Sequence, residues 1–266
     1  MRKNVWYTAV MSNARSHWES LRVALIWIGF VIITILIPTT IVLASLVVWI
    51  VDPQYRSLHR MAEAWGRAIF LLNPGWRISV AGRGFLKPSG TYLIVANHQS
   101  LFDIMALYHL HRQFKWVAKA ELFSIPFLGW AMSAARYIQL HRGKSSSIRQ
   151  TYGQARRYIE EGMSVVFFPE GTRSHTSTVQ PFKNGAFKLA IRTGVPVVPV
   201  AVSGARDLLP RQHLRFAMTA RVRVQVLPPL DPKDYRPEEF DRLRDDAHRA
   251  ISRALEQHGK VPRVAA

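Results

Sequence analysis

Residues 91–103 read TYLIVANHQSLFD and predict, in order, a strand, a tight loop and the start of a helix. The apolar run at residues 92–96 is typical of a buried strand, and Ser100 is a favourable residue for a helix N-terminus. Asn97, His98 and Asp103 then lie at the carboxyl end of the predicted strand. In α/β sheets this edge binds ligands, because loop amides and helix N-termini converge there.

His98 and Asp103 are the candidate catalytic pair in this stretch. One lies in the loop and the other in the first helical turn, so the chain can fold back and bring the carboxylate to the imidazole. A carboxylate in that place fixes the tautomer of the histidine and stabilises the imidazolium that forms when the histidine takes a proton. The alternative is purely structural: a histidine that hydrogen-bonds within a loop and an aspartate that caps a helix.

The chain beyond the break at Asn73-Pro74-Gly75 alternates between short β-rich runs and helical patterns. Strands are predicted near residues 77–80, 92–96, 115–117, 137–140, 165–168, 197–202 and 222–226, and helices near residues 101–112, 145–161, 186–192 and 237–257. This alternation predicts the α/β class, with a central, largely parallel sheet covered by helices.

A second polar cluster follows the fifth predicted strand and is expected at the same edge of the sheet as the first. Gly171 lets a ligand approach the backbone, and Arg173 has the planar guanidinium that suits phosphate. Together with Arg142 and Lys183, Arg173 has enough charge to neutralise a phosphomonoester dianion. The alternative is that these bases belong to a generally cationic surface. Glu170 is interpreted as a residue that orients the arginine or binds acceptor hydroxyls, or as a buried ion-pair partner.

The N-terminal region contains a segment long and apolar enough to cross a membrane. Residues 23–51 contain no charged side chain. As one straight helix they would reach about 43 Å, beyond a hydrocarbon core of about 30 Å. Pro38-Thr39-Thr40 interrupts the segment, so a tilted span and a re-entrant helical hairpin both stay open. Basic residues flank both ends, which suits a hairpin with both ends in the cytoplasm.

Residues 56–72 place apolar side chains at helical spacing with Arg and Glu between them, which predicts an amphipathic helix on the membrane or on the next domain. The predicted division is therefore a membrane segment with this helix at residues 1–72 and a catalytic domain at residues 73–266.

A further mixture of aromatic and basic side chains predicts an interfacial surface on anionic lipid. Each of its aromatic residues equally suits a core. The members of this surface are Phe114, Trp116, Phe123, Phe127, Trp130, Arg112, Lys115 and Lys119.

The composition limits the classes of function. The chain has 36 Lys and Arg against 17 Asp and Glu, a formal charge of +19, which predicts an anionic partner such as acidic lipid, nucleic acid or a phosphorylated metabolite. The absence of Cys excludes disulfides, thiolate metal sites and a cysteine nucleophile. A serine hydrolase is disfavoured because no Gly-x-Ser-x-Gly elbow is present. His109 and His111 are alternate residues of a predicted helix and point apart, and no HExxH motif or cysteine pair accompanies them, so no metal site is expected.

Several blocks follow one another in a specific order. NHQSLFD at residues 97–103 contains an HxxxxD pattern, FPEGTRS stands at residues 168–174, FKNGAF at residues 182–187 and VPVVPV at residues 195–200. A looser block, YIQLHRG, lies between them at residues 137–143. In this order the blocks resemble the motifs of the glycerolipid acyltransferase family, typified by the lysophosphatidic acid acyltransferases. The resemblance extends from about Trp76 to Leu227.

The resemblance implies an O-acyltransferase that moves a fatty acyl group from acyl-CoA or acyl carrier protein to the free hydroxyl of 1-acylglycerol-3-phosphate, without a cofactor. It implies that His98 is the general base and Asp103 its partner. The substrate-binding residues that it implies are Arg142, Glu170, Gly171, Thr172, Arg173 and Lys183.

The expected partners are the lysophospholipid, the acyl donor and an anionic membrane surface, with the catalytic domain facing the cytoplasm. No nucleic-acid-binding motif accompanies the positive charge, so no nucleic acid is expected. The same chemistry on glycerol-3-phosphate or on a lyso-ornithine lipid stays open. A membrane-tethered basic binding protein is a much weaker alternative.

Overall fold

The computed structural model describes residues 3–141, 145–174, 178–210 and 215–259, and the side chains of these ranges except those of residues 3–17, 145 and 259. Its centre is a seven-stranded sheet in the order β1-β7-β6-β2-β5-β3-β4. Neighbouring strands are parallel apart from β6 and β7, which confirms the predicted class. The strands are β1 Trp76–Ala81, β2 Leu93–Ala96, β3 Phe114–Lys119, β4 Ile138–Leu140, β5 Ser164–Phe167, β6 Val197–Ser203 and β7 Ala220–Val226.

Helices cover both faces of the sheet. They are α1 Lys3–Val51, α2 Arg56–Leu71, α3 Phe102–Leu107, α4 Leu128–Ala134, α5 Ser145–Glu160, α6 Gly185–Thr193, α7 Ala205–Leu208 and α8 Phe240–Gly259. Alternate residues of β2 point to opposite faces: Ile94 packs in the core with α1 to α4 and α7, and Leu93 in the core with α5, α6 and α8. Because both faces are covered, the central strands are apolar throughout.

The N-terminal apolar segment is one continuous helix, so a hairpin that turns at residues 38–40 is wrong. α1 continues past Pro38, where the hydroxyls of Thr39 and Thr40 donate to the carbonyls of Ile35 at 2.6 Å and Ile37 at 2.7 Å. The helix is therefore not interrupted where Pro38 lacks a backbone N–H, and the two hydroxyls bond to carbonyls of the preceding turn.

A helical hairpin does exist, but its turn lies between α1 and α2. Asp52 caps this turn, since its carboxylate accepts the backbone N–H of Ser57 at 2.6 Å. α2 then runs back along α1, and the indole N–H of Trp65 donates to the hydroxyl of Thr34 at 3.2 Å. The partner of the apolar helix is thus the predicted amphipathic helix.

The predicted interfacial surface is wrong for most of its aromatic members. Phe114 and Trp116 are 0% and 4% exposed and belong to the core, because β3 lies between β5 and β4 under helices. Lys115 is 1% exposed, and its ammonium donates to the carbonyls of Gln54 at 3.2 Å and Ala135 at 2.9 Å. Trp130, at 53%, is strongly exposed.

Candidate active site

The loop after β2 is wound around the carboxylate of Asp103. Oδ2 of Asp103 lies 3.0 Å from Nδ1 of His98 and accepts the backbone N–H groups of Gln99 at 2.6 Å and Ser100 at 2.7 Å. Asp103 is 1% exposed and stands in the first turn of α3, where the helix dipole favours a negative charge. The contact expected between the two side chains is present. With Asp103 accepting from Nδ1, Nε2 is the nitrogen left to act as a base.

The imidazole of His98 is held between its aspartate and an aromatic ring. Phe168 stacks on it at a centroid distance of 4.0 Å and an interplanar angle of 15°, and Trp116 stacks on Phe168 at 5.6 Å. The side chain of His98 stays 15% exposed. Stacking and the aspartate together restrict the ring to one orientation, as a general base requires. The sequence placed Phe168 at the end of a predicted strand and at the start of the FPEGTRS block, but it did not predict the contact with His98.

Asn97 fixes the position from which His98 projects. Its side-chain amide donates to the carbonyl of Val202 at 2.9 Å, and its side-chain oxygen accepts the N–H of Val202 at 2.8 Å. The buried amide therefore continues the pairing of β2 with β6 by one further position. The loop leaves the sheet from a rigid end, and this role was not predicted from the sequence.

Glu170 joins the two motif loops into one unit. Its oxygens accept the backbone N–H groups of His98 at 2.7 Å and Gln180 at 2.9 Å, and the N–H of Ser174 donates to the carbonyl of His98 at 2.8 Å. The residue is 4% exposed, and burial raises the pKa of Glu170 to about 7 against the opposing effect of the two N–H donors. The substrate-binding role of Glu170 stays a prediction, whereas its contacts are those of a residue that positions His98.

The cationic residues of the second cluster lie on this joined loop. Gly171 adopts a φ of +73°, and a Cβ placed there would come within 2.7 Å of the ammonium of Lys183, so the lysine side chain crosses directly over the glycine. Lys183 is anchored by its backbone N–H, which donates to the carbonyl of Pro169 at 2.9 Å. Thr172 and Arg173 follow and are exposed. Arg173 precedes Ser174, the residue paired with the backbone of His98.

The structure therefore gathers His98, Asp103, Gly171, Arg173 and Lys183 around the carboxyl ends of β2 and β5. Arg142 lies outside the described residues, and its predicted role has no structural account. Throughout the described ranges, no group of three or more His, Asp or Glu side chains is arranged to hold a metal ion. The arrangement is a histidine–aspartate pair beside an exposed cationic surface.

The region that holds both motif loops resembles known acyltransferases in sequence. A family model described as Acyltransferase matches residues 77–203. The 1-acyl-sn-glycerol-3-phosphate acyltransferase of Chlamydomonas reinhardtii is 34% identical over 220 residues, which cover 82% of this chain and 64% of that protein. A chloroplastic 1-acyl-sn-glycerol-3-phosphate acyltransferase of Arabidopsis thaliana is 36% identical over 181 residues, covering 67% and 50%. The chain thus spans about half to two thirds of the length of these curated relatives.

A solved structure shares the fold over nearly its whole length. The crystal structure of the 1-acyl-sn-glycerophosphate (LPA) acyltransferase from Thermotoga maritima superposes with a TM-score of 0.78 at 25% identity, covering 92% of this chain and 98% of that one. The matched region holds both motif loops and the strands that carry them. From its blocks, its fold and its relatives, the chain belongs to the acyltransferase family that includes the 1-acyl-sn-glycerol-3-phosphate acyltransferases.

Proposed function

We propose that this protein transfers a fatty acyl group from acyl-CoA or acyl carrier protein to the free hydroxyl of 1-acylglycerol-3-phosphate, making phosphatidic acid for phospholipid biosynthesis. The observation that carries the proposal is the pairing of His98 with Asp103 at 3.0 Å, on a loop that Glu170 ties to the cationic loop. Relatives named for this reaction support the choice of acceptor.

The proposed mechanism needs one base and no covalent acyl-enzyme. Nε2 of His98 removes the proton of the acceptor hydroxyl as its oxygen attacks the thioester carbonyl, and Asp103 stabilises the imidazolium. The tetrahedral intermediate collapses, the carbon–sulfur bond breaks, and the thiolate takes the proton from the imidazolium. Atoms and charges then balance with the acyl donor as the sole co-substrate, and no further cofactor takes part.

Arg173 and Lys183 are proposed to bind the phosphate of the acceptor, and Gly171 and Thr172 are proposed to line the same phosphate-binding site. A guanidinium and an ammonium on one loop suit a phosphomonoester, since each makes charge-assisted hydrogen bonds to its oxygens. Glycerol-3-phosphate has the same phosphate, whereas a lyso-ornithine lipid has none. A panel of acceptors therefore separates the proposal from both alternatives.

The variant Arg173→Ala is expected to lower kcat/KM for 1-acylglycerol-3-phosphate by roughly 10- to 150-fold, because a hydrogen bond between charged groups contributes about 1.5–3 kcal/mol. Transfer to 1-acylglycerol, which lacks the phosphate, should be slow and unaffected by the change. Arg173→Lys should recover only part of the loss, since an ammonium cannot make the paired contacts of a guanidinium.

The assay is transfer of labelled acyl groups from acyl-CoA, and separately from acyl carrier protein, by the purified protein. Arg192→Ala is the matched control, because Arg192 is an exposed arginine at the end of α6. Preferential acylation of lyso-ornithine lipid by the wild type would replace the proposed acceptor. Equal decreases in kcat/KM for acceptors with and without phosphate would show that Arg173 does not belong to the phosphate-binding site.

The described residues contain one helix, Trp18–Val51, that is long and apolar enough to cross a membrane. We propose that it lies along the surface of an anionic membrane instead. Its inner face packs from Ile26 to Val48 on the core that also contains α2, α4 and α7. This length is about 33 Å, slightly more than the roughly 30 Å of a hydrocarbon core. A spanning orientation would draw the exposed Arg67 of α2 into the lipid, where charges are strongly disfavoured. We place the catalytic domain on the cytoplasmic side, with no nucleic-acid partner.

The outward stripe of α1 is expected to lie at one depth. Leu25, Leu36 and Leu43 are 56%, 59% and 60% exposed and fall on one side of the helix. Because the chain has no cysteine, single cysteines can be placed at these positions for spin labels. In vesicles with anionic lipid, all three labels should lie about 5–10 Å deep. A cysteine in place of Arg253 on α8 should remain in water, and a depth that changes steadily from position 25 to position 43 would establish a span.

A further inference from the structure

A cavity of about 400 Å³ opens at the amino edge of the sheet, opposite the edge that holds His98. Tyr92 and Ser164, at the starts of β2 and β5, form one wall, and α2 with the turn after α3 forms the other. The four extended residues of β2, about 13 Å long, and Asn97 separate Tyr92 from His98. The cavity is therefore separate from the candidate active site.

Three arginine residues line this cavity: Arg56, Arg60 and Arg112. Some exposed arginines of the described residues have carboxylate partners, as Arg156 and Arg157 do at 2.7 Å. In the part of the chain that the structure describes, none of the three cavity arginines forms an ion pair within 4.0 Å. Clustered guanidiniums repel one another, so their arrangement favours an external anion.

Two of these arginines are held in place by hydrogen bonds that leave nitrogens of the guanidinium available. Nε of Arg112 donates to the carbonyl of Leu86 at 2.8 Å, and Nε of Arg56 donates to the side-chain oxygen of Gln54 at 2.8 Å. Nη1 of Arg112 also lies 3.5 Å from the carbonyl of His111. Nη2 of Arg112 and the terminal nitrogens of Arg56 take no part in these bonds, and such nitrogens match the spacing of phosphate oxygens. The wall is thus partly preorganised for an oxyanion.

Glu63 is the acidic side chain in the cavity wall, and it does not cancel the positive charge. Its carboxylate oxygens lie 3.6 Å from Nε2 of His59 and 3.9 Å from Nδ1 of His111. Burial raises the pKa of Glu63 to about 7 and lowers the pKa of His59 to about 3, and the pKa of His111 is lowered by the same cause. Three positive charges against at most one negative charge leave an excess of two or more.

We propose that this cavity binds a phosphomonoester at a site distinct from the one that binds the acceptor. A dianion neutralises the excess charge, which a phosphodiester, with a single charge, does not. The cavity lies near the lower limit of small-molecule sites, so it holds a headgroup or a small phosphorylated metabolite above an apolar floor of Leu86, Ile94 and Met163. Arg56 follows closely on the exposed end of α1 at Val51, so a lipid headgroup can reach the cavity as well as a soluble ligand can.

The test measures binding of inorganic phosphate to the full chain in detergent micelles by titration calorimetry at pH 8, and uses no enzyme activity. The starting variant is Arg173→Ala/Lys183→Ala, which weakens phosphate binding at the site proposed for the acceptor. One phosphate per chain is expected to bind. Adding Arg56→Ala and Arg60→Ala should weaken that binding at least tenfold, since both arginines are exposed on α2 and donate charge-assisted hydrogen bonds.

The matched control adds Arg192→Ala and Arg253→Ala, which remove the same charge from exposed positions on α6 and α8. This control should change affinity less than twofold. Glu63→Gln should tighten phosphate binding severalfold, because it removes the opposing charge at nearly constant shape. Absence of phosphate binding in the starting variant, or equal losses in the two arginine pairs, would overturn the proposal.

Two further titrations identify the source of the ligand. Tighter binding of soluble dihexanoyl phosphatidic acid than of glycerol 3-phosphate, lost with Arg56→Ala and Arg60→Ala, indicates a lipid headgroup. The reverse order indicates a soluble metabolite. Equal binding of a short-chain phosphodiester would contradict the charge argument and with it the assignment to phosphomonoesters.

Discussion

Replacing His98 with alanine is expected to lower the rate of acyl transfer by about 10²- to 10⁴-fold, the usual contribution of a positioned general base. The imidazole lies 3.0 Å from Asp103 and is stacked on Phe168, so its loss removes the base and leaves the surrounding loop connected through Glu170 and Ser174. The decrease should appear in kcat at saturating acceptor concentration, because His98 is not part of the proposed phosphate-binding site.

The measurement is single-turnover transfer from labelled acyl-CoA, with the thermal unfolding midpoint recorded for the same preparation. His109→Ala is a suitable control, because His109 is a partly buried histidine whose Nδ1 lies 3.1 Å from the carbonyl of Met105, away from the motif loops. Partial recovery of His98→Ala by added imidazole would support a missing base. A variant as fast as the wild type would remove His98 from the mechanism.

Substitution of Asp103 should separate two contributions of the carboxylate. One oxygen, Oδ2, receives His98 Nδ1 and the N–H groups of Gln99 and Ser100. In Asp103→Asn the two backbone donors require the amide oxygen at that place, so the asparagine can still accept from His98 and keep its tautomer. Only the negative charge is lost, and transfer should fall roughly 10- to 100-fold, since charged hydrogen bonds are about twice as strong as neutral ones.

Asp103→Ala should be far more damaging than Asp103→Asn, with a loss close to that of His98→Ala. Alanine leaves the N–H groups of Gln99 and Ser100 without their acceptor, so the loop no longer holds the imidazole in place. The double variant His98→Ala/Asp103→Ala should be little slower than either single variant, because the two residues act as one unit. Equal activity of the Asn and Ala variants would contradict the role given to the charge.

The sequence predicted the seven strands and the sheet class because the central strands are apolar on both faces and are bounded by clear breaks. It also placed the short-range contact between His98 and Asp103, which depends on one loop and one helical turn. In contrast, the short helix α4 and the burial of Lys115 were not predicted. An aromatic and basic mixture has the same local pattern whether it faces lipid or lies under a helix.

The sequence alone therefore determined the sheet class, the apolar helix and the identity of the candidate base, since each is encoded in contiguous residues. Only the tertiary structure decided that Glu170 faces inward to tie two loops together, that Phe168 stacks on His98, and that α1 pairs with α2 along the domain. These contacts join residues far apart in the chain, and their energies depend on which surfaces meet when the sheet closes. The cavity arginines belong to the same class, because α2 and the turn after α3 meet only in the folded protein.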